Sequence, residues 1–174
     1  MMKKKQNNIH AQLYLEKITL SSGIKRLVES SNAYSELEND LLQITTQKPK
    51  RLFAKKNNDR FHLKTNELNA IKITLRRNKM KNFLHQTSLA LAQDKEFLGL
   101  NLNAYNKYNL HSFTFGIKNQ GIYAAVNKNE SKIKFGFYIT LSFKNITSNK
   151  AETKQKVIEI LNQYNLLLNE KFLL

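Results

Sequence analysis

The segment Leu13 to Leu20, Leu-Tyr-Leu-Glu-Lys-Ile-Thr-Leu, is β-prone and ends at Ser21-Ser22-Gly23, which predicts a first strand. Ser30-Ser31-Asn32 then offers helix caps. Behind them Ala33, Leu37, Leu41 and Ile44 recur at spacings of four, four and three, one face of an α-helix. That helix must stop near Thr45-Thr46, because Pro49 disfavours helical backbone at Lys48 and has no N–H to donate. Arg51 to Ala54 reads as a short strand, and the polar stretch Lys55 to Leu68 as a long loop. From Asn69 to Arg76 the alternation is clean: Ile71, Ile73 and Leu75 on one side, Lys72, Thr74 and Arg76 on the other.

A second helix is predicted after Asn78, with Met80, Phe83, Leu84, Thr87 and Leu91 facing inward. Asn101 to Asn109 has little periodicity and reads as a loop. Phe113-Thr114-Phe115 predicts a strand. Lys132 to Phe143 predicts a longer one, with Ile133, Phe135, Phe137, Ile139, Leu141 and Phe143 alternating inward. A last helix from about Lys150 carries Val157, Ile158, Leu161, Tyr164 and Leu168 on its apolar face. The order β-α-β-β-α-β-β-α predicts one α+β domain, with a mixed, mostly antiparallel sheet and helices on one face. The other sheet face is then free for polar groups. Residues 1–12 read as a basic N-terminal tail and 13–174 as the single domain.

Composition sharpens this picture in one direction. The 174 residues carry 29 Lys+Arg against 13 Asp+Glu, a formal charge of +16, which suits a protein that neutralises phosphates. The excess is concentrated. Between Lys48 and Lys81 twelve basic residues face only Asp59 and Glu67, a net +10 in about a fifth of the chain. Repulsion at that density is costly without phosphate to screen it. Within the window, Lys72, Thr74 and Arg76 form a flat array of donors on one strand face, suited to phosphate and sugar oxygens. Lys55, Lys56, Arg60 and Lys64 sit on the loop beside Phe61, which either stacks on a ligand or anchors the loop to the core.

Other chemistries find no support in the residues. There is no cysteine, hence no disulfide, thiolate metal site or thiol nucleophile. His10, His62, His85 and His111 are far apart and lack a partner at metal-site spacing. Glu36, Glu38 and Asp40 read as a solvated face of the first helix. Neither a phosphate loop with Lys-Ser/Thr nor a Gly-x-Ser-x-Gly elbow is present, and no apolar run approaches the roughly 18 residues of a membrane span. No enzyme and no cofactor are therefore expected. A nuclease would need a metal-binding acidic pair, and an RNA-binding module acting outside the ribosome is the remaining alternative.

Gln47-Lys48-Pro49, Ala54-Lys55-Lys56, Ile71-Lys72-Ile73-Thr74-Leu75-Arg76 and Met80 fall in an order and spacing that resemble the large-subunit ribosomal protein five family. That family is the bacterial-type protein that binds 5S rRNA in the central protuberance. Its pattern runs Gly-Gln-Lys-Pro, Ala-Lys/Arg-Lys-Ser, then Gly-Cys-Lys-Val-Thr-Leu-Arg-Gly-x-x-Met. Glu16-Lys17-Ile18-Thr19-Leu20, Phe97-Leu98-Gly99-Leu100 and Gly116-Ile117-Lys118-Asn119-Gln120 resemble further family segments, so that the likeness runs from about residue 13 to 168. The resemblance implies a structural role in translation, with 5S rRNA, large-subunit rRNA, P-site tRNA, a small-subunit head protein and neighbouring large-subunit proteins as partners.

It also implies which residues meet RNA. Gln47, Thr74 and Arg76 carry over as RNA contacts, joined by the surrounding Lys48, Lys50, Arg51, Lys55, Lys56, Lys72 and Arg77. The loop from about Asn57 to Asn69, with Arg60, Phe61 and Lys64, corresponds to the tRNA-reaching loop. The sequence departs from the pattern at Ser21, where the family has Asn, and at Thr46 and Arg77, where it has Gly. Asn66, Leu68 and Ala70 replace the loop's Gly, Pro and Gly, and Tyr123-Ala124-Ala125-Val126 replaces Phe-Pro-Glu-Ile. Lys outnumbers Arg 24 to 5 and Asn is abundant, a bias towards A/T-rich codons. Bias and divergence together point to an organelle-encoded mitochondrial member. A plastid or an A/T-rich bacterial cytoplasm is the alternative.

Overall fold

The computed structural model describes residues 13–24, 31–94, 97–101, 111–126, 133–144 and 149–166, with the side chains of 31–33 and 150 set aside. The basic tail 1–12, His10, Ala33's side chain, most of the Asn-rich loop, Lys132 and Leu168 lie outside the described residues. Five strands and three helices follow in the predicted order. They are β1 (Tyr14–Gly23), α1 (Ser31–Thr45), β2 (Lys50–Phe53), β3 (Leu68–Leu75), α2 (Arg77–Gln93), β4 (Ser112–Ile117), β5 (Phe137–Lys144) and α3 (Lys150–Gln163).

The strands form one sheet in the order β2-β3-β1-β5-β4, and every ladder is antiparallel. One side of the sheet is apolar. Ile18 and Leu20 from β1, Ile71, Ile73 and Leu75 from β3, and Ile139, Leu141 and Phe143 from β5 are all buried. Against them pack Leu37, Leu41 and Ile44 of α1, Phe83, Leu84 and Leu91 of α2, and Val157 and Leu161 of α3, in one continuous core. Burying these side chains is the main driving force of the fold. None of the helices among the described residues is long and apolar enough to cross a membrane.

Polar groups inside the core are paired. Thr87 Oγ1 on α2 bonds the Phe83 carbonyl at 2.8 Å and lies 3.1 Å from the Tyr123 hydroxyl. Burial pushes that phenol's pKa far up, so Tyr123 stays neutral. Its ring stacks between Phe83 and Phe137, with centroids 6.2 and 6.0 Å away. Tyr123 stands in the segment that departs from Phe-Pro-Glu-Ile, and it serves as a core residue.

Two expectations are corrected here. Asp40 is not on a solvated helix face: it is buried and accepts a hydrogen bond from Gln120 Nε2 at 3.2 Å. Glu38 is also largely covered and is paired with Arg51 on β2. An acidic side chain can stay inside when a donor from another element meets it, and neither donor is near in sequence. The second correction concerns the last strand, which begins at Phe137 rather than Lys132. Phe135 is buried as expected, but its N–H donates to Gln120 Oε1 at 2.9 Å and its carbonyl accepts from the Gln120 N–H at 3.1 Å. Backbone engaged with a side chain in this way leaves the ladder.

Candidate nucleic-acid interface

The uncovered sheet face is ordered by register. Thr19 of β1 sits opposite Thr74 of β3 and Thr140 of β5, and Thr140 opposite Thr114 of β4. Four threonines therefore cross four strands in one row, and the Oγ1 atoms of Thr114 and Thr140 are 2.9 Å apart. The neighbouring row is Lys50, Lys72, Ser21, Tyr138 and Gly116, one residue from each of the five strands. A third row pairs Lys17 with Ser142 and Ser142 with Ser112. Hydroxyls and ammonium groups thus stand where a half-covered antiparallel sheet places its polar positions. Of these, Lys72 and Thr74 follow from the pattern of β3 alone, whereas sequence reasoning misses the other strands' contributions. A usable signal exists in β5, where Tyr138, Thr140 and Ser142 interleave with buried residues.

The rim of this face carries its fixed charges. A bulge in β1 between Leu15 and Lys17 brings Glu16 to it, as bulges re-aim side chains. Glu16 Oε1 lies 2.9 Å from Arg76 Nη1 and 3.3 Å from Lys144 Nζ. The hydrogen bond from Arg76 is the main reason the Glu16 carboxyl lies below its ordinary pKa. One acid between two cations orients Arg76 and leaves the cluster positive.

Gln47 anchors the approach from α1. Its Nε2 donates to the Thr74 carbonyl at 3.0 Å, so the turn after α1 is tied to the strand that carries Thr74. Thr46, just before it, has φ of 52°, and Lys79 Nζ donates to the Thr46 carbonyl at 3.0 Å. Arg77 opens α2 at φ of 53°, and Asn66 has φ of 65°. Left-handed backbone favours glycine. The family pattern has glycine at each of these three positions, so the chain retains the backbone path without the residue that makes it easy.

Lys48, Lys50, Lys55, Lys56, Lys72, Arg76 and Arg77 are exposed, and Lys50, Lys72 and Arg76 share the open side of the sheet. Arg51 does not join them. It sits opposite inward-facing Ile71, its Nη2 is 3.1 Å from Glu38 Oε2, and its guanidinium carbon lies 4.5 Å from the Tyr34 ring centre. Burial, with the nearby Glu38 carboxylate, raises the Tyr34 phenol pKa. Arg51 thereby ties β2 to α1, while half of its side chain remains exposed.

The β2–β3 loop is ordered. Its base is closed by the Ala54 N–H to the Glu67 carbonyl and the Asn66 N–H to the Ala54 carbonyl, each 2.8 Å. Asn58 and Leu63 exchange backbone hydrogen bonds of 2.8 and 3.0 Å around a single turn of 3-10 helix, Asp59–Phe61. Asn57 Oδ1 accepts from the Thr65 N–H and hydroxyl at 2.7 and 2.8 Å. Arg60 and Lys64 are exposed. Phe61 is 61% exposed, so it is presented outward rather than anchored in the core.

No group of three or more His, Cys, Asp or Glu that could hold a metal exists among the described residues. Comparison with known proteins then gives the interface a context. Residues 69–165 match the family that describes the C-terminus of ribosomal protein five, now called uL5. The chain is also similar to the large ribosomal subunit protein uL5 of Karelsulcia muelleri (strain GWSS). The two are 31% identical over 148 residues, which make up 83% of this chain and 75% of that protein. With more than half of its length matched and its open sheet face lined by hydroxyls and cations, the chain belongs to the uL5 family of structural, non-enzymatic ribosomal proteins.

Proposed function

We propose that this chain, by its family a structural protein of the large ribosomal subunit, docks on 5S rRNA and large-subunit rRNA through the open sheet face. The carrying observation is the register that lines Lys50, Lys72 and Ser21 beside the row Thr74, Thr19, Thr140 and Thr114. Ammonium groups in such an array neutralise phosphates, and hydroxyls bond sugar and phosphate oxygens. Folded RNA offers both across its shallow minor groove. Gln47 and Arg76 set the edge of the contact, and Lys48, Lys55, Lys56, Arg77, Lys79 and Lys81 supply the attracting field. Arg51 adds charge while holding β2 to α1.

The same reading gives the β2–β3 loop a second partner. Arg60, Phe61 and Lys64 present two cations and an exposed ring to the P-site tRNA, with the small-subunit head protein opposite, as a place in the central protuberance requires. The A/T-biased composition favours a mitochondrial ribosome. Co-sedimentation with the large subunit from purified mitochondria is the expected outcome, and recovery only from light fractions opposes it.

A salt series tests the central statement. Binding to 5S rRNA from the same compartment is compared with binding to an unrelated RNA hairpin. Preference for 5S rRNA that persists at high salt supports the assignment. Equal binding to both, falling steeply with salt, leaves only the electrostatic attraction.

A further inference from the structure

An aromatic ring interrupts the hydroxyl and ammonium rows. Tyr138 lies on the open face of β5 and is 62% exposed, although its sequence neighbours Phe137 and Ile139 are buried. Its cross-strand partners are Ser21 on β1 and Gly116 on β4, the one position of this row with no side chain. A Cβ at Gly116 would stand 3.4 Å from Tyr138 Cε1 and 3.6 Å from Cδ1, so an edge of the ring lies along bare glycine backbone. The rest of the ring meets solvent. Exposed polar positions of an open sheet cost little, whereas an exposed ring forgoes the burial that aromatic side chains otherwise gain.

Lys72 lies two strands away in the same row, and Lys50 one strand further. Adjacent strands are about 4.8 Å apart, which places the Lys72 backbone about 10 Å from that of Tyr138. A cationic edge beside a flat ring is the pairing with which proteins hold single-stranded nucleotides: charge tracks the phosphates, and the ring receives a base. A fully paired duplex keeps its bases stacked internally and cannot use such a ring.

We propose that Tyr138 is a stacking platform for an unpaired base of the bound rRNA, with Lys72 and Lys50 on the adjoining phosphates. This rests on the sheet-face reading above and adds to it a ligand element, one extruded base. The threonine row by itself does not require it.

The experiment measures affinity for 5S rRNA and for a fully paired RNA duplex, each over a salt series, with wild type, Tyr138→Thr and Tyr138→Phe. Tyr138→Thr restores a plain hydroxyl row; it should bind 5S rRNA about tenfold more weakly, because stacking on one ring is worth that order of affinity. Its salt slope should be unchanged, since the slope reports phosphate contacts only. Its duplex affinity should also be unchanged, and Tyr138→Phe should match wild type on both RNAs. Thermal unfolding of each variant checks that the ring's contact with Gly116 is not what is being lost. Equal 5S rRNA affinity for Tyr138→Thr and wild type overturns the stacking inference and leaves the sheet-face reading intact. An equal loss on the duplex also overturns it. Wild type that fails to prefer 5S rRNA overturns both.

Discussion

The two faces of the sheet are written by the same strands and obey opposite rules. On β3, Ile71, Ile73 and Leu75 are almost inaccessible, while Lys72, Thr74 and Arg76 look outward. The inner face is held by packing, where each missing methylene leaves a void that its neighbours fill only in part. The outer face contributes little to folding, since its groups are hydrated before and after. It is therefore the face on which recognition can be built without loss of stability.

Neighbouring residues on one strand separate these roles most sharply. Ile73→Ala should destabilise the protein by about 3 kcal/mol, read from denaturant unfolding. Thr74→Ala should change stability by no more than about 0.5 kcal/mol, yet weaken 5S rRNA binding. If both cost equally in stability, the open face is part of the folding core and the comparison fails. A second measurement concerns charge. Lys50→Ala combined with Lys72→Ala should lower the slope of log affinity against log salt by roughly 0.7–0.9 per lysine. An unchanged slope would remove these two ammonium groups from the interface.

Smaller effects probe what supports the faces. Thr46 is β-branched and left-handed, so Thr46→Gly should raise stability by about 0.5–1 kcal/mol, measured by thermal or denaturant midpoint. A loss instead would mean that the Thr46 side chain matters more than its backbone strain. The smallest effect is at Glu16, whose folded pKa lies below its ordinary 4.5 because of Arg76 and Lys144. A lowered carboxylate contributes stability that is present above pH about 4.5 and is lost as pH falls through the folded value. Wild type should thus lose slightly more stability than Glu16→Gln between about pH 5 and 3. Identical pH profiles would show that the cluster orients Arg76 without stabilising the fold.

Much of this fold is legible in the sequence because alternation and helical spacing are local. The pattern places β3 to within a residue at each end, and the inward positions of α2 and α3 among the described residues are those the spacing implies. What escapes depends on partners far along the chain. Asp40 reads as a surface acid until Gln120, 80 positions away, reaches it. The strand predicted from Lys132 starts at Phe137 because the Gln120 side chain intercepts the backbone at Phe135. Arg51 belongs to a basic run, but Tyr34 and Glu38 hold it against α1.

The candidate site divides in the same way. Lys72, Thr74 and Arg76 can be named from one strand, whereas Thr19, Thr140, Thr114 and Tyr138 become part of the same surface only when three further strands are paired. A shift of one residue in any ladder would have turned those side chains into the core. By itself, the sequence determined the elements, the inward side of each strand, the basic segment between Lys48 and Lys81 and the family likeness, since composition and periodicity act within a few residues. Only the tertiary structure decided the strand order, the rows of hydroxyls and ammonium groups, and the pairing of Glu16 with Arg76 across 60 positions. Those depend on register, and register is set where the buried side chains of separate elements fit together.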